Sequence, residues 1–363
     1  MKSKKITRRG VIKSGVATSV ALMRRLTAAI TITAVTMAFW PTDTLAGPTV
    51  DSIKKRGRVI CGVNGNRAGF SALDSKGQWK GMDIDTCKAV AAAVLGDSTK
   101  IQPVKTTSQT RFTALQTSEV DVLTRNVTWT LGRDTKLGID FVAPTFYDGQ
   151  GFMVNKNTGA KSVKDLGGAT VCVLPGSTSE KVTADVFKAN GLKYTAVVIE
   201  SKKELNTAFF GGRCDVHVQS TSGLSSARAT VAPDPANYIL LPGVYGKDPM
   251  GPVVRQGDPQ FKDIVAWSVY AMMEAEESGV TSKNVDAMRK SKDANISRLL
   301  GTKGKLGEAM GLDNDWAYRI IKQVGNYGEV FDRNVGKDSP LKLPRGLNDL
   351  WTNGGLLYSP PFK

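Results

Sequence analysis

Histidine is almost absent from this chain of 363 residues: His217 is the only one. A Ser-His-Asp triad needs an imidazole in a cleft beside a nucleophile, and no G-x-S-x-G turn supplies the serine. His217 falls instead in the run Val216 to Val218, where a strand face or core is its natural place. There is no H-E-x-x-H and no P-loop, and Gly62, Gly65 and Gly69 are wrongly spaced for a dinucleotide fingerprint. Without a C-x-x-C, dithiol redox catalysis and zinc binding lack their usual ligands. Aromatic residues make up 7% of the chain and do not alternate with Lys/Arg clusters, so its basic charge reads as a solvated surface, not a nucleic-acid face. No stretch reaches the ~20 apolar residues that span a bilayer. No metal, no cofactor and no nucleic-acid partner is therefore expected.

What is present fits a globular protein: 41% hydrophobic and 23% charged residues, in a chain long enough for two domains of roughly 150 residues each. Of the formal charge of +16, part sits in the first 46 residues. Eight of the 49 basic residues and one of the 33 acidic ones precede Gly47, leaving about +9 on the rest. Residues 1–46 read as a targeting segment. Met23-Arg24-Arg25, the apolar run Leu26 to Trp40, and Thr44-Leu45-Ala46 form the three parts of a secretory signal. Upstream, Thr7-Arg8-Arg9-Gly10-Val11-Ile12-Lys13 is similar to a twin-arginine signal, but Arg24-Arg25 would interrupt its apolar region. A true start at Met23, a Sec-type signal and a mature chain from Gly47 are expected.

In an exported protein, the even set Cys61, Cys87, Cys172 and Cys214 favours disulfides over buried thiols. Cys61 ends one predicted strand and Cys87 starts the next helix, while Cys172 and Cys214 fall in later strands. Pairing Cys61 with Cys87 and Cys172 with Cys214 puts one bridge in each half of the chain.

The chain is organised around Asp121 to Gly151. A β-run, Val120 to Leu123, leads through a polar turn to Thr130-Leu131-Gly132-Arg133, a helix start with Thr130 as N-cap. A cation in a first turn opposes the helix dipole, so Arg133 does not serve local helix stability. It either pairs with Asp134 or Asp140 at the surface, or it receives a carboxylate, which guanidinium grips with two parallel bonds. Strands alternate with helices along most of the chain, which means parallel α/β sheets with ligands beyond the carboxyl ends of the strands. Asn64, Asn126, Thr128 and Arg133 fall at such ends. Pro175 to Glu180 opens another helix, either as a simple cap or as a second anion site through Ser177 and Thr178.

These stretches resemble a known family. Asp121 to Gly151, with its Thr128, Thr130 and Arg133, resembles the polar amino-acid binding proteins of ABC importers, family 3 of the bacterial extracellular solute-binding proteins. Gly81-Met82-Asp83-Ile84-Asp85 opening a helix is similar to the same family's signature, and RNVTWTLGRDTKLGIDF, FYDGQGFMV, GRCD and GPVVRQGD are similar to its general L-amino-acid binding subfamily. The resemblance covers about Val59 to Lys363. It implies a two-lobed α/β fold of the periplasmic binding protein-like II type, with one antiparallel crossing strand per lobe and a two-stranded hinge. Residues 47–149 would form the first part of lobe one, 150–247 lobe two, and 248–363 the rest of lobe one with a C-terminal extension. Tyr147 and Gly149 belong to the first crossing, Gly246 and Gly251 to the second. The resemblance further implies a monomeric, non-enzymatic periplasmic protein that closes on a small carboxylate, above all an L-amino acid, and delivers it to an inner-membrane ABC permease. Arg133, Thr128, Asn126, Thr178, Ser177, Ser220, Arg67 and Asn64 would contact the ligand. A periplasmic dehydratase on the same scaffold, a receptor-docking sensor component and a binder of a non-amino organic acid are the alternatives.

One position departs from the pattern. The family's acid for the ligand ammonium aligns with Ser220, and its neighbour Gln219 is also neutral. Asp74, Asp148 and Glu200 are the acids that could take its place. Restoring the acid as Ser220→Asp is expected to strengthen amino-acid binding.

Overall fold

The computed structural model describes residues 47–363, so the targeting segment expected at 1–46 lies outside the described residues. The chain starts with α1 (Pro48–Arg56), whose proline occupies the first turn and whose end is closed by Gly57 in the left-handed conformation. Then follow β1 (Val59–Val63), the short strands β2 (Asn66–Arg67), β3 (Ser71–Leu73) and β4 (Trp79–Lys80), α2 (Met82–Leu95) and β5 (Ile101–Lys105). Next are α3 (Arg111–Gln116), β6 (Val122–Leu123), α4 (Leu131–Lys136), β7 (Ile139–Phe141) and the long strand β8 (Phe146–Asn155). After it come β9 (Thr170–Val173), α5 (Thr178–Ala189), β10 (Thr195–Val198), α6 (Lys202–Phe210), β11 (Val216–Ser220) and α7 (Thr221–Thr230). The strands β12 (Tyr238–Leu240), β13 (Tyr245–Met250) and β14 (Val253–Arg255) precede α8 (Pro259–Glu277), α9 (Val285–Met288), α10 (Ala294–Leu299), α11 (Trp316–Gln323) and α12 (Tyr327–Asn334).

Two mixed sheets result. The first has the order β5-β1-β6-β14-β7, with β14 antiparallel to both neighbours. The second has the order β10-β9-β11-β8-β12, with β8 antiparallel to β11 and β12. Helices cover both, so the strands β1 and β9 are apolar with little alternation, as strands buried on two faces are. Cys61–Cys87 ties β1 to α2 and Cys172–Cys214 ties β9 to the turn before β11, at Cα separations of 6.2 and 5.6 Å.

β13, expected as the second crossing, pairs antiparallel with β8, and Asp148 and Asp248 stand directly opposite each other. Tyr147 and Gly149 lie in β8, Gly246 lies at the register shift between Tyr245 and Lys247 with φ 85°, and Gly251 follows β13. A Cβ at Gly251 would stand 2.3 Å from the Ala143 carbonyl oxygen, so only glycine fits there.

β8 runs as one strand through Tyr147 and Gly149 to Asn155, because β11, β12 and β13 pair along successive parts of it. Cys214, expected within a strand, precedes β11, which ends at Ser220. The segment between β1 and α2 carries β2, β3 and β4, which form a small antiparallel sheet.

The chain after β14 packs on the first sheet: α2, α8, α11, α12 and Phe362 share one apolar core. The Gly346–Asn348 turn also reaches the crossing. Asn348 Oδ1 accepts from Tyr147 N at 2.6 Å and its Nδ2 donates to Tyr147 O at 3.0 Å.

Candidate functional site

One cavity lies where the two sheets meet, lined from the first by Asn64, Arg111, Asn126, Thr128 and Arg133 and from the second by Gln150, Ser177, Thr178, Ser179, Gln219 and Ser220, with Asp248 of β13. Thr130 caps α4 by accepting from Arg133 N at 3.4 Å. The side chain of Arg133 turns back from there. Its Nη1 donates to Thr128 O at 2.9 Å and its Nη2 reaches across to Gly176 O at 3.3 Å. Neither Asp134 nor Asp140 pairs with it: Asp140 pairs with Lys262, and Asp134 accepts from Phe141 N.

Arg133 is not alone. Arg111, buried at the start of α3, also donates to Gly176 O, at 3.4 Å, and lies 4.7 Å over the Phe112 ring. Burial, then the charges of Arg125 and Arg133, pushes the Arg111 pKa well below its ordinary value. Burial also lowers that of Arg125 to about 10, although Asp83 acts against it. Among the described residues, Arg111 and Arg125 each keep a buried Nε without a hydrogen-bond partner. Arg111 and Arg133 converge on one carbonyl oxygen while Arg125 lines the adjoining cavity, and such a cluster of cations suits an anion, because like charges in a poorly solvated place are costly without one.

On the facing wall, Ser177 caps the twelve-residue helix α5: its Oγ accepts from Glu180 N at 3.2 Å and donates to Leu174 O at 2.7 Å. The first N–H groups of α5 therefore stand beside the cavity without intrahelical acceptors. Thr178 meets Thr128 hydroxyl to hydroxyl at 3.0 Å across the cleft, and Asn64 donates to Asn126 at 3.2 Å.

Arg67 lies elsewhere. It is 2% exposed, sits 4.1 Å over the Phe70 ring and does not line this cavity. Its Nη2 donates to Ser220 Oγ at 2.9 Å and stands 3.7 Å from Asp148 Oδ2. The position aligned with the family's acid is thus already covered by a cation. The candidate acids fare differently. Asp74 closes an exposed turn, accepting from Lys76 N and Gln78 N at 2.9 and 2.8 Å. Glu200 lines an adjoining cavity with Lys105, Arg125 and Lys202. The Asp148 side chain accepts from Thr221 Oγ1 at 2.5 Å and from Ser222.

Sequence reasoning missed Asp248. It is 2% exposed, and burial with the nearby Asp148 pushes its pKa up to about 6, against the opposing pull of Thr128, Arg67 and Arg133. The only signal was an acid between Gly246 and Met250 in a polar crossing. The acids of the Gly81–Asp85 motif are structural: Ser71 donates to Asp83 at 3.2 Å, and Asp85 accepts from Arg333 and Asn334 of α12. His217 is buried in β11 beside Lys202 Nζ at 3.3 Å; burial, then that ammonium, drives its pKa well below the ordinary value.

The cavity holds ≈ 30 Å³, room for a water molecule or two but not an amino acid. Contacts across the cleft, Thr128 to Thr178 and Arg133 to Gly176, must part before a ligand enters.

Residues 59–283 match the family described as bacterial extracellular solute-binding proteins, family 3. The chain belongs to this family. It is 52% identical over 317 residues to the general L-amino acid-binding periplasmic protein AapJ of Rhizobium johnstonii, covering 87% of this chain and 93% of that one. It is likewise 52% identical over 316 residues to the glutamate/glutamine/aspartate/asparagine-binding protein BztA of Rhodobacter capsulatus, covering 87% of this chain and 93% of that one. Among solved structures, an ABC transporter periplasmic binding protein from Brucella ovis with glutathione bound superposes with a TM-score of 0.84 at 47% identity, covering 87% of this chain and 99% of that chain. No described helix of this family 3 protein is long and apolar enough to cross a membrane.

Proposed function

We propose that this family 3 protein is a periplasmic solute-binding protein that captures a small carboxylate, above all an L-amino acid, and hands it to an inner-membrane ABC permease. It acts as a monomer and does no chemistry on its ligand. Residues 47–149 and 248–363 form one lobe, 150–247 the other, and β8 with β13 is the hinge. The observation that carries this reading is Arg133: its two terminal nitrogens point to two carbonyl oxygens from opposite sides of one cleft, 2.9 and 3.3 Å away. An entering carboxylate replaces these neutral acceptors with a charged, bidentate one, and the start of α5 adds N–H donors once the lobes close again. Thr128, Asn126, Asn64, Ser177 and Thr178 complete that end. Arg67 and Ser220 shape the other.

Thermal-shift screening of the L-amino acids and their hydroxy- and oxo-acid counterparts, followed by calorimetry, tests the proposal. A ligand bound only by the folded chain raises Tm, by about 2.7 kcal/mol of stabilisation at a hundredfold excess over Kd. Amino acids should bind and be recovered unchanged. Turnover of any bound compound, or no binding of any carboxylate, would overturn it.

A further inference from the structure

An amino acid brings an ammonium group as well as a carboxylate, and an ammonium taken out of water needs an acid beside it. The end of β11 does not offer one. Ser220 stands there, and its hydroxyl already accepts from the Arg67 guanidinium at 2.9 Å. A second cation at that spot would be repelled. On the hinge strand β13, Asp248 lines the same cavity as Arg133 and Ser220 and is 2% exposed. Its Oδ2 accepts from Gln150 Nε2 at 2.5 Å, and Ser179 Oγ fixes that amide by donating to Gln150 Oε1 at 2.7 Å. Among the described residues its Oδ1 has no hydrogen-bond partner; the nearby Thr128 hydroxyl, which acts on this carboxylate, is shared with Thr178 at 3.0 Å. A buried carboxylate oxygen without a donor is rare, and here it belongs to an acid held in place by a chain of two side chains at a ligand cavity. Asp148, directly opposite in the ladder, is already engaged by Thr221, Ser222 and Arg67.

We propose that Asp248 is the ammonium anchor of this binding protein, so that the acid missing at position 220 is replaced by one on the hinge. The inference rests on the amino-acid reading above. It places the charge that holds the ligand on the strand about which the lobes move, and it assigns Arg67 to neutralise Asp148 instead of contacting the ligand.

Matched pairs of ligands test it by calorimetry: L-aspartate with L-malate, and L-alanine with L-lactate, on the unmodified protein, on Asp248→Asn and on Ser220→Asp. Asp248→Asn keeps the shape of the side chain and should weaken the amino acids about ten- to hundredfold while leaving the hydroxy acids unchanged. Ser220→Asp should pair with Arg67 and give amino acids no gain. Equal loss for both members of a pair would make Asp248 a merely structural residue and overturn the proposal. So would tighter amino-acid binding by Ser220→Asp. If Asp248→Asn melts out at the assay temperature, Asp248→Ser is read in the same way. Binding of hydroxy acids but of no amino acid by the unmodified protein would remove the amino-acid reading itself, whereas normal amino-acid binding by Asp248→Asn removes only the anchor.

Discussion

Replacing Arg133 by alanine should separate ligand binding from folding. Its guanidinium donates to the carbonyls of Thr128 and Gly176, lies 5.6 Å over Phe112 and shares a wall with Arg111, whose charge it opposes. Removing it forfeits two hydrogen bonds to neutral acceptors. It also relieves the partial burial that lowers its own pKa and the repulsion of its neighbour. These effects nearly offset, so the ligand-free protein should change by no more than about 1 kcal/mol, or roughly 2–4 °C in Tm. With ligand the balance is one-sided. Two parallel charge-assisted bonds at about 1.5–3 kcal/mol each amount to about 3–6 kcal/mol, a loss of about two to four decades in affinity. Arg133→Lys keeps the charge but not the fork and should fall between. Calorimetry with the best ligand of the screen, beside thermal denaturation without ligand, measures both quantities. A variant that binds as tightly as the unmodified protein would take Arg133 out of the site. A variant that loses binding only because it no longer folds would show the side chain to be structural.

Further tests follow from other parts of the molecule. Because the Asp248 pKa is raised to about 6, amino-acid affinity should fall as pH drops from 7 to 5, and hydroxy-acid affinity should not; calorimetry across that range decides it. The same group has the opposite effect on ligand-free stability. Between about 4 and 6 the folded chain holds a proton at Asp248 that the unfolded chain has released, so stability from this group declines as pH rises, and Asp248→Asn should flatten that slope in pH-dependent melts. Opening the disulfides, whose cysteines are 26 and 42 residues apart, should cost about 3.5 kcal/mol for Cys61–Cys87 and about 4 kcal/mol for Cys172–Cys214 by loop entropy, measured by denaturant titration of the serine variants. Asn348→Ala leaves both the N–H and the C=O of Tyr147 without their side-chain partner and should destabilise the protein by about 1–3 kcal/mol; an unchanged melting curve would show the clasp to be idle.

Much of the proposed carboxylate end could be read locally. Thr130 caps a helix because its oxygen meets an N–H three residues on, and Arg133 is conspicuous because a cation in that first turn opposes the dipole. Ser177 at the start of α5 is legible for the same reason. Alternating strands and helices indicate parallel sheets, because each is a pattern of period two or 3.6 within a dozen residues. Even the missing acid at position 220 is visible by alignment within the resembling stretches.

The other end of the site was decided by folding alone. Arg67 and Ser220 are 153 positions apart, as Tyr147 and Asn348 are 201 apart, and no local pattern announces either contact. Asp74, Asp148, Glu200 and Asp248 look alike in sequence, yet one closes an exposed turn, one is consumed by Arg67, Thr221 and Ser222, one lines an adjoining cavity, and one is buried at the proposed ligand cavity. The physical reason is that composition and spacing govern which segments form helices and strands, through interactions a few residues long. Desolvation and charge pairing depend instead on which distant groups the sheets bring within a few ångströms, and that is settled only when β8 and β13 align Asp148 against Asp248.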